Sequence, residues 1–424
     1  MKTKLSIAFI CIYLIGLAQT PKLYLNITSH NEMTATEPYD TNVLFYTQTR
    51  DTVKKIADMI YNKGAKYNLQ SCQKFVIASH MHENAGTSSA DILEYCYKLG
   101  GAPYGKVVEI DPRYKTQSPT YTLNMSDVAH MIDSTGATSS KTVGGFIYYP
   151  YASQDWSVYT TTIVGTVYNK PWKPNILWGS GSTPPHTHDA NNYGIWKPKG
   201  NTDSLTFYCH DPAQNLSIEG NGCAWVIYDT TANIQWIIRD IRNAATKIVN
   251  GTYPNNKFYC ATVMINFKHF QSAGLRAKLT TLIDSVNYMA TQNKTVWATI
   301  GQKLTAFQTW STANSTPYSQ WQCGQTATLA PTCASAGIQE QTGAEGLLKV
   351  FPNPASSSLT YEWQGMFDNT YFNIYDNFGR LVTTLPITQS LQTISLNDLS
   401  AGVYFIQISS KEKTYKPQKL IVTN

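Results

Sequence analysis

The chain has 424 residues, 42% of them hydrophobic, 12% aromatic and 14% charged, with a formal charge of +6 and eight cysteines. That length suits two domains, or one barrel of about 250 residues with an appendage, and the aromatic content excludes a disordered chain. The basic residues are scattered, with no arginine-rich or lysine-rich run before the tail, which argues against a nucleic-acid partner; the charge deficit, filled by Thr, Asn, Ser, Gln and Tyr, is unusual for a cytosolic protein.

The N-terminus reads as an export signal over residues 1–18. Lys2 and Lys4 form a positive start, Leu5–Leu17 an apolar stretch, and Gly16-Leu17-Ala18 a small-x-small cleavage site before Gln19. Thirteen apolar residues fall short of the roughly 20 that span a bilayer, and no later segment is long enough. Without these residues, which carry two lysines and no acid, the charge falls from +6 to +4. In an oxidising compartment some of the seven cysteines left after Cys11 should pair. Cys72 with Cys96, Cys209 with Cys223 and Cys323 with Cys333 are the sequence-local options, leaving Cys260 odd; no C-x-x-C pair supports a zinc finger.

Residues 19–323 alternate strand-like and helix-like segments. Leu23–Thr28 reads as a strand, followed by a helix over Thr52–Tyr61 with Val53, Ile56, Met59 and Ile60 on one face. A strand at Phe75–Ala78, a helix at Ala90–Leu99, a strand at Val107–Ile110 and a helix at Met125–Ser134 come next. Strands follow at Val143–Tyr148, Ile176–Trp178 and Leu205–Tyr208, then the helix Ile234–Val249. A strand at Phe258–Phe267, a helix at Gly274–Thr291 and a strand at Val296–Ile300 complete the series. This alternation implies parallel pairing, and seven or eight such strands predict a (β/α) barrel, complete or slightly open. A doubly wound sheet competes with it, but no glycine-rich phosphate loop follows the first strand.

From Gly324 to Gly346 the chain is small, polar and aperiodic, as a linker is. Residues 347–424 then alternate short β-rich runs with turns, which predicts a small antiparallel β-sandwich. Four phrases in this stretch, Val350-Phe351-Pro352-Asn353-Pro354-Ala355, Tyr375-Asp376-Asn377-Phe378-Gly379-Arg380, Leu399-Ser400-Ala401-Gly402-Val403-Tyr404 and Lys419-Leu420-Ile421-Val422, resemble the C-terminal sorting domain of type IX (Por) secretion cargo in Bacteroidetes. The resemblance implies the type IX machinery as a partner and a location that is secreted or attached to the outer-membrane surface, reached through the periplasm. Any activity then lies upstream.

In the upstream domain, seven of the eight histidines follow predicted strands, and only His130 lies in a predicted helix. Active sites of (β/α) barrels form at the C-terminal strand ends. His80-Met81-His82 and His186-Thr187-His188 are i,i+2 pairs, which in extended backbone put both imidazoles on one side, as ligands of one metal ion need. His30 follows the first strand, with Glu32 beside it. Glu83, Asp189 and Asp211 flank other histidines, and Glu109 and Asp111 share a face at a strand end. A zinc, manganese or calcium ion accepts such mixed shells and would acidify a water for attack. Trp172, Trp178, Trp196 and Tyr149 are candidates for stacking against sugar rings.

The ending Thr28-Ser29-His30-Asn31-Glu32, the histidine pair after the second strand and the late Trp297-Ala298-Thr299-Ile300-Gly301 resemble the irregular (β/α) barrels of the glycoside hydrolase/deacetylase superfamily. That family shows two adjacent aspartates and two histidines three residues apart where this chain has His30-Asn31-Glu32 and His80-Met81-His82. The resemblance implies metal-assisted deacetylation of a polysaccharide or glycan, with Glu32 as base and His30, His80, His82, His186 and His188 as the ligand pool. A glycoside hydrolase using two carboxylates from Glu32, Glu109, Asp111 and Asp189 is one alternative. A non-catalytic, surface-displayed glycan-binding or adhesion protein is the other.

Overall fold

The computed structural model describes residues 21–31, 37–83, 91–113, 123–146, 156–178, 191–200, 207–316, 318–324, 348–365, 367–377, 380–410, 415 and 417–423. The chain divides into two compact units, Met1–Cys333 and Ala334–Asn424.

In the first unit the strands are β1 (Leu23–Asn31), β2 (Tyr67–Ser71), β3 (Val108–Pro112), β4 (Thr142–Gly144), β5 (Ile163–Val164), β6 (Pro171–Trp172) and β7 (Ile176–Trp178). After them come β8 (Asn192–Tyr193), β9 (Ile195–Trp196), β10 (Ser217–Glu219), β11 (Val226–Ile227), β12 (Cys260–Ile265), β13 (Thr295–Trp297) and β14 (Trp321–Gln322). The helices are α1 (Val43–Asn62), α2 (Gln73–His82), α3 (Ile92–Lys98), α4 (Met125–Ser134), α5 (Ile234–Val249), α6 (Ala273–Thr291) and α7 (Ile300–Thr312).

A parallel sheet in the order β11-β12-β1-β2-β3 forms the centre, and β13 pairs with the first residues of β1. Side chains alternate across it, as strand geometry requires. Leu23, Leu25 and Ile27 of β1, Tyr67 and Leu69 of β2, Val108 and Ile110 of β3 and Ala261, Val263 and Ile265 of β12 enter one core with the buried faces of α1, α3, α5 and α6. The opposite face is polar and receives α7. Ile300, Leu304 and Phe307 of that helix pack with Ile176, Trp178, Ile195, Phe258 and Cys260 in a separate cluster.

The chain is not a closed barrel. A second sheet, β4-β7-β10-β9, has β9 antiparallel. Among the described residues two isolated bridges, Ile110↔Ser139 and Arg113↔Gly144, link its β4 end to β3. Strands of two or three residues cannot sustain a continuous ladder, and among the described residues no ladder joins the two sheets, so the ring predicted from the β/α rhythm does not close. Two predicted strands are also helical. Phe75–Ala78 lies in α2, where Phe75, Val76 and Ser79 share the buried face, and Phe207 and Tyr208 lie in a helical turn. A short apolar run does not by itself distinguish a buried strand from a buried helix; the strand at this place is Tyr67–Ser71, which carries the polar Asn68, Gln70 and Ser71.

The cysteines also pair differently. Cys223 is bonded to Cys323, and Cys72, Cys96 and Cys260 are buried thiols. Sequence proximity misled because β8 and β14 bring distant segments together.

In the second unit β15 (Leu348–Phe351), β16 (Ser358–Trp363) and β19 (Leu391–Ser395) form one antiparallel sheet. Its companion holds β17 (Tyr371–Tyr375), β18 (Leu381–Pro386), β20 (Gly402–Ser409) and β21 (Gln418–Val422). Leu359, Tyr361, Phe372, Ile374, Ile406 and Leu420 form their common core.

Candidate functional site

The polar face of the parallel sheet is organised in rungs. Thr28, Asn68 and Glu109 are register partners on β1, β2 and β3, and one rung nearer the C-terminal ends come His30, Gln70 and Asp111. Period-two alternation places all six on the same side, and Arg113 extends the row.

The deeper rung is closed by hydrogen bonds. Asn26 Nδ2 donates to Asn68 Oδ1 at 2.8 Å, and Asn68 Nδ2 donates to Glu109 Oε2 and to Asp111 Oδ2, both at 3.0 Å. Those two carboxylate oxygens are therefore no more than about 6 Å apart. The first turn of α7 caps Glu109: the Thr299 hydroxyl donates to Oε1 at 2.6 Å and Gly301 N–H to Oε2 at 3.0 Å. Asp111 accepts from Ser140 Oγ at 2.6 Å and Gln70 Nε2 at 3.2 Å. Burial pushes both carboxyls up, Asp111 well above the ordinary carboxylate range because the charge of Glu109 adds to the effect.

Beside this rung sits a buried ion pair. Lys303 Nζ lies 2.6 Å from Glu219 Oε1, and both side chains are wholly buried. The ammonium also donates to Asn26 Oδ1 at 2.5 Å and to the Ala261 carbonyl at 2.8 Å. Burial raises Glu219 while the Lys303 charge and hydrogen bond oppose it.

At the upper rung the second sheet closes over the strand ends. The Trp178 ring lies edge-on to His30, with centroids 5.5 Å apart. A side chain at Gly144 would collide with the Gln70 amide, and one at Gly145, where φ is +75°, with the Arg113 guanidinium. His30, Gln70, Arg113, Gly145 and Trp178 thus pack into one buried enclosure of side chains at these strand ends. His30 and Arg113 are each 7% exposed, and burial pulls the Arg113 guanidinium down to about 10.

The other predicted site residues divide by location. His80 and His82 lie on α2, where an i,i+2 spacing separates side chains by about 200°. His80 Nε2 meets the Met131 carbonyl at 3.0 Å and His82 Nε2 the Tyr39 carbonyl at 2.9 Å, so the pair does not converge. His210 accepts the Lys197 N–H at Nδ1, and burial with the nearby Lys197 charge pulls it down to about 4. His130 packs on Tyr168 and His269 on Tyr228. Trp172, Trp178 and Trp196 are 4%, 1% and 0% exposed, which removes them as open stacking surfaces. Glu32, Tyr149, His186, His188 and Asp189 lie outside the described residues.

Among the described residues, Cys223, Asp240 and Cys323 have potential metal-ligating atoms within 4.8 Å of one another. The Cys223–Cys323 disulfide already engages both sulfurs. Asn26, Asn68, Gln70, Arg113, Glu219 and Lys303 escaped sequence reasoning. For the first four the signal was the polar alternation in three consecutive strands, Asn26-Thr28-His30, Asn68-Gln70 and Glu109-Asp111-Arg113.

Comparison with known proteins bears on the second unit. Residues 349–423 match the secretion system C-terminal sorting domain. With that sorting domain the protein is type IX cargo, secreted or attached at the cell surface, and its tail is the part that engages the secretion machinery. No described helix is long and apolar enough to cross a membrane. No curated protein matches the chain.

Solved structures similar to parts of the chain include PorZ, a surface component of the type IX system of Porphyromonas gingivalis. It is 20% identical over 21% of this chain and 13% of its own, with a TM-score of 0.17. Dimeric latent PorU of the same organism is 25% identical over 18% of this chain and 9% of its own, with a TM-score of 0.16. The sulfur carrier SoxY of Chlorobium limicola f thiosulfatophilum is 16% identical over 18% and 77%, with a TM-score of 0.14. The chain thus spans a small fraction of the length of the first two.

Proposed function

We propose that this cargo protein is a carbohydrate-active hydrolase that removes acyl groups, such as acetyl, from a glycan outside the cell. The observation that carries the reading is the buried cluster at the C-terminal ends of β1 to β3, where His30 packs on Trp178 and the Arg113 guanidinium lies against Gly145. Ligand sites of open α/β sheets form at these strand ends.

In this reading His30 takes a proton from a water, and the water oxygen bonds to the acyl carbon. Arg113 stabilises the resulting oxyanion, which a buried guanidinium does more strongly than a solvated one. The C–N or C–O bond then breaks, and the proton passes from His30 to the leaving amine or hydroxyl. Asp111 touches no substrate; through Gln70 it positions the rung on which His30 sits.

A metal-assisted form of the same deacetylation would use His30 as a ligand without His80 or His82, which belong to α2. A second reading, glycoside hydrolysis by two carboxylates, rests on the shared Asn68 amide that brings Glu109 and Asp111 together.

Acetate release from acetylated xylan and chitin oligomers separates these readings. His30→Ala and Arg113→Ala should each lower the rate by about 100-fold or more with the melting temperature retained. Full acetate release by both folded variants would sink the reading. Loss of wild-type activity in EDTA selects the metal-assisted form. New reducing ends without acetate, abolished by Glu109→Gln, select the glycosidase. Binding without any product leaves the adhesive role.

A further inference from the structure

We propose that a second site, a cleft at the opposite ends of the strands, binds a neutral oligosaccharide. The cleft encloses about 440 Å³ between the start of β3, the segment entering β4, the first residue of β7 and the first turns of α7. That volume is within the roughly 300–1,000 Å³ typical of small-ligand sites.

Its chemistry suits sugar hydroxyls better than charged groups. Asn175, Thr305 and Gln308 line it and are exposed, offering neutral donors and acceptors. The charged residues in the lining are Glu109 and Lys141, which are opposite in sign, so the cleft has no field to favour a polyanion. Tyr104 stands at its edge with 49% of its surface exposed, backed by Tyr97 at a ring-centroid distance of 5.9 Å. Gly105 makes this placement possible. Its φ is +75°, its N–H donates to the Tyr97 carbonyl at 2.9 Å, and a Cβ there would come within 2.8 Å of the Tyr97 ring. The tyrosine face is thus presented by a tight turn, an amphipathic surface obtained at low entropic cost.

An aromatic face beside neutral amides and hydroxyls is the arrangement a pyranose uses, with C–H groups on the ring and hydroxyls at the edge. The buried tryptophans leave the strand-end enclosure without such an open surface, whereas this cleft has one. The site goes beyond the acyl-hydrolysis reading and stands if that reading fails, because its lining shares no residue with the His30 enclosure.

Isothermal titration of the mature full chain with β-1,4-linked gluco-, xylo-, manno- and N-acetylglucosamine hexasaccharides tests it. At least one should bind, Tyr104→Ala should weaken that binding about tenfold, and Gln308→Ala should weaken it severalfold with the melting temperature unchanged. His30→Ala should leave the affinity as it was, which separates this site from the hydrolytic one. No binding by any of the four at about 10 mM, equal affinity in both cleft variants, or loss of binding in His30→Ala alone would overturn the proposal.

Discussion

Lys303 places an ammonium where no water reaches it. Four acceptors surround it, Glu219, Asn26, Thr262 and the Ala261 carbonyl, so its charge is both paired and hydrogen-bonded. Removing one partner of such a pair leaves the other as an uncompensated buried charge, at a cost of about 3–5 kcal/mol. Lys303→Met should therefore lower the unfolding free energy by about that amount in a denaturant titration. The double variant Lys303→Met with Glu219→Leu should recover most of the loss, and a double variant no better than the single would show that the ion pair is not the cause. The same residue fastens α7 to the polar face of the sheet, which links it to Glu109 and Asn68 without giving it a place in the enclosure.

At the scale of elements, one carboxylate supplies most of the acceptors between α4 and the turn of the β5-β6 hairpin, beside the Asn124 bond to the Val164 carbonyl. Asp127 completes a capping box with Asn124 at the start of α4. It also accepts from Thr166 N at 2.9 Å, Thr166 Oγ1 at 2.8 Å and Tyr168 N at 3.0 Å in the hairpin turn. Asp127→Ala leaves these donors without an acceptor, and each such loss costs about 1–3 kcal/mol where water cannot replace it. The Thr166 to Tyr168 amides should then exchange hydrogen much faster while the β1 and β12 amides keep their protection. Unchanged exchange in the turn would show that the hairpin holds itself.

Helix signals of this kind were legible in the sequence where apolar periodicity was strong. The predicted helices at Met125–Ser134 and Ile234–Val249 coincide with α4 and α5. Phe75–Ala78 failed because four apolar residues fit a helix as well as a strand, and that one error misplaced His80 and His82.

Across the first unit, the Cys223–Cys323 bond closes a loop with a sequence separation of 100 residues. Constraining so long a loop in the unfolded chain is worth about 2–5 kcal/mol. Cys323→Ser should lower the melting temperature accordingly, and in a reductant wild type and variant should melt together. A reductant that lowers both by equal amounts would shift the effect to another bond, since Cys209 is also disulfide-bonded.

The sorting tail was readable from residues alone, because its phrases are local and recur as consecutive words. The export class followed from it. The β/α alternation was also local, and it correctly implied a parallel sheet. Whether the sheet closes was not local: it depends on how many residues β4 to β11 can pair, and those strands proved too short. The site followed the same division. Glu109 and Asp111 could be placed on one face by a period of two, but their union through Asn68 needed the register of β2. The partnership of Lys303 with Glu219, 84 residues apart, and the approach of Trp178 to His30 arise only when α7 and the second sheet pack on the polar face. Periodicity assigns a residue to a face; tertiary packing decides what that face meets.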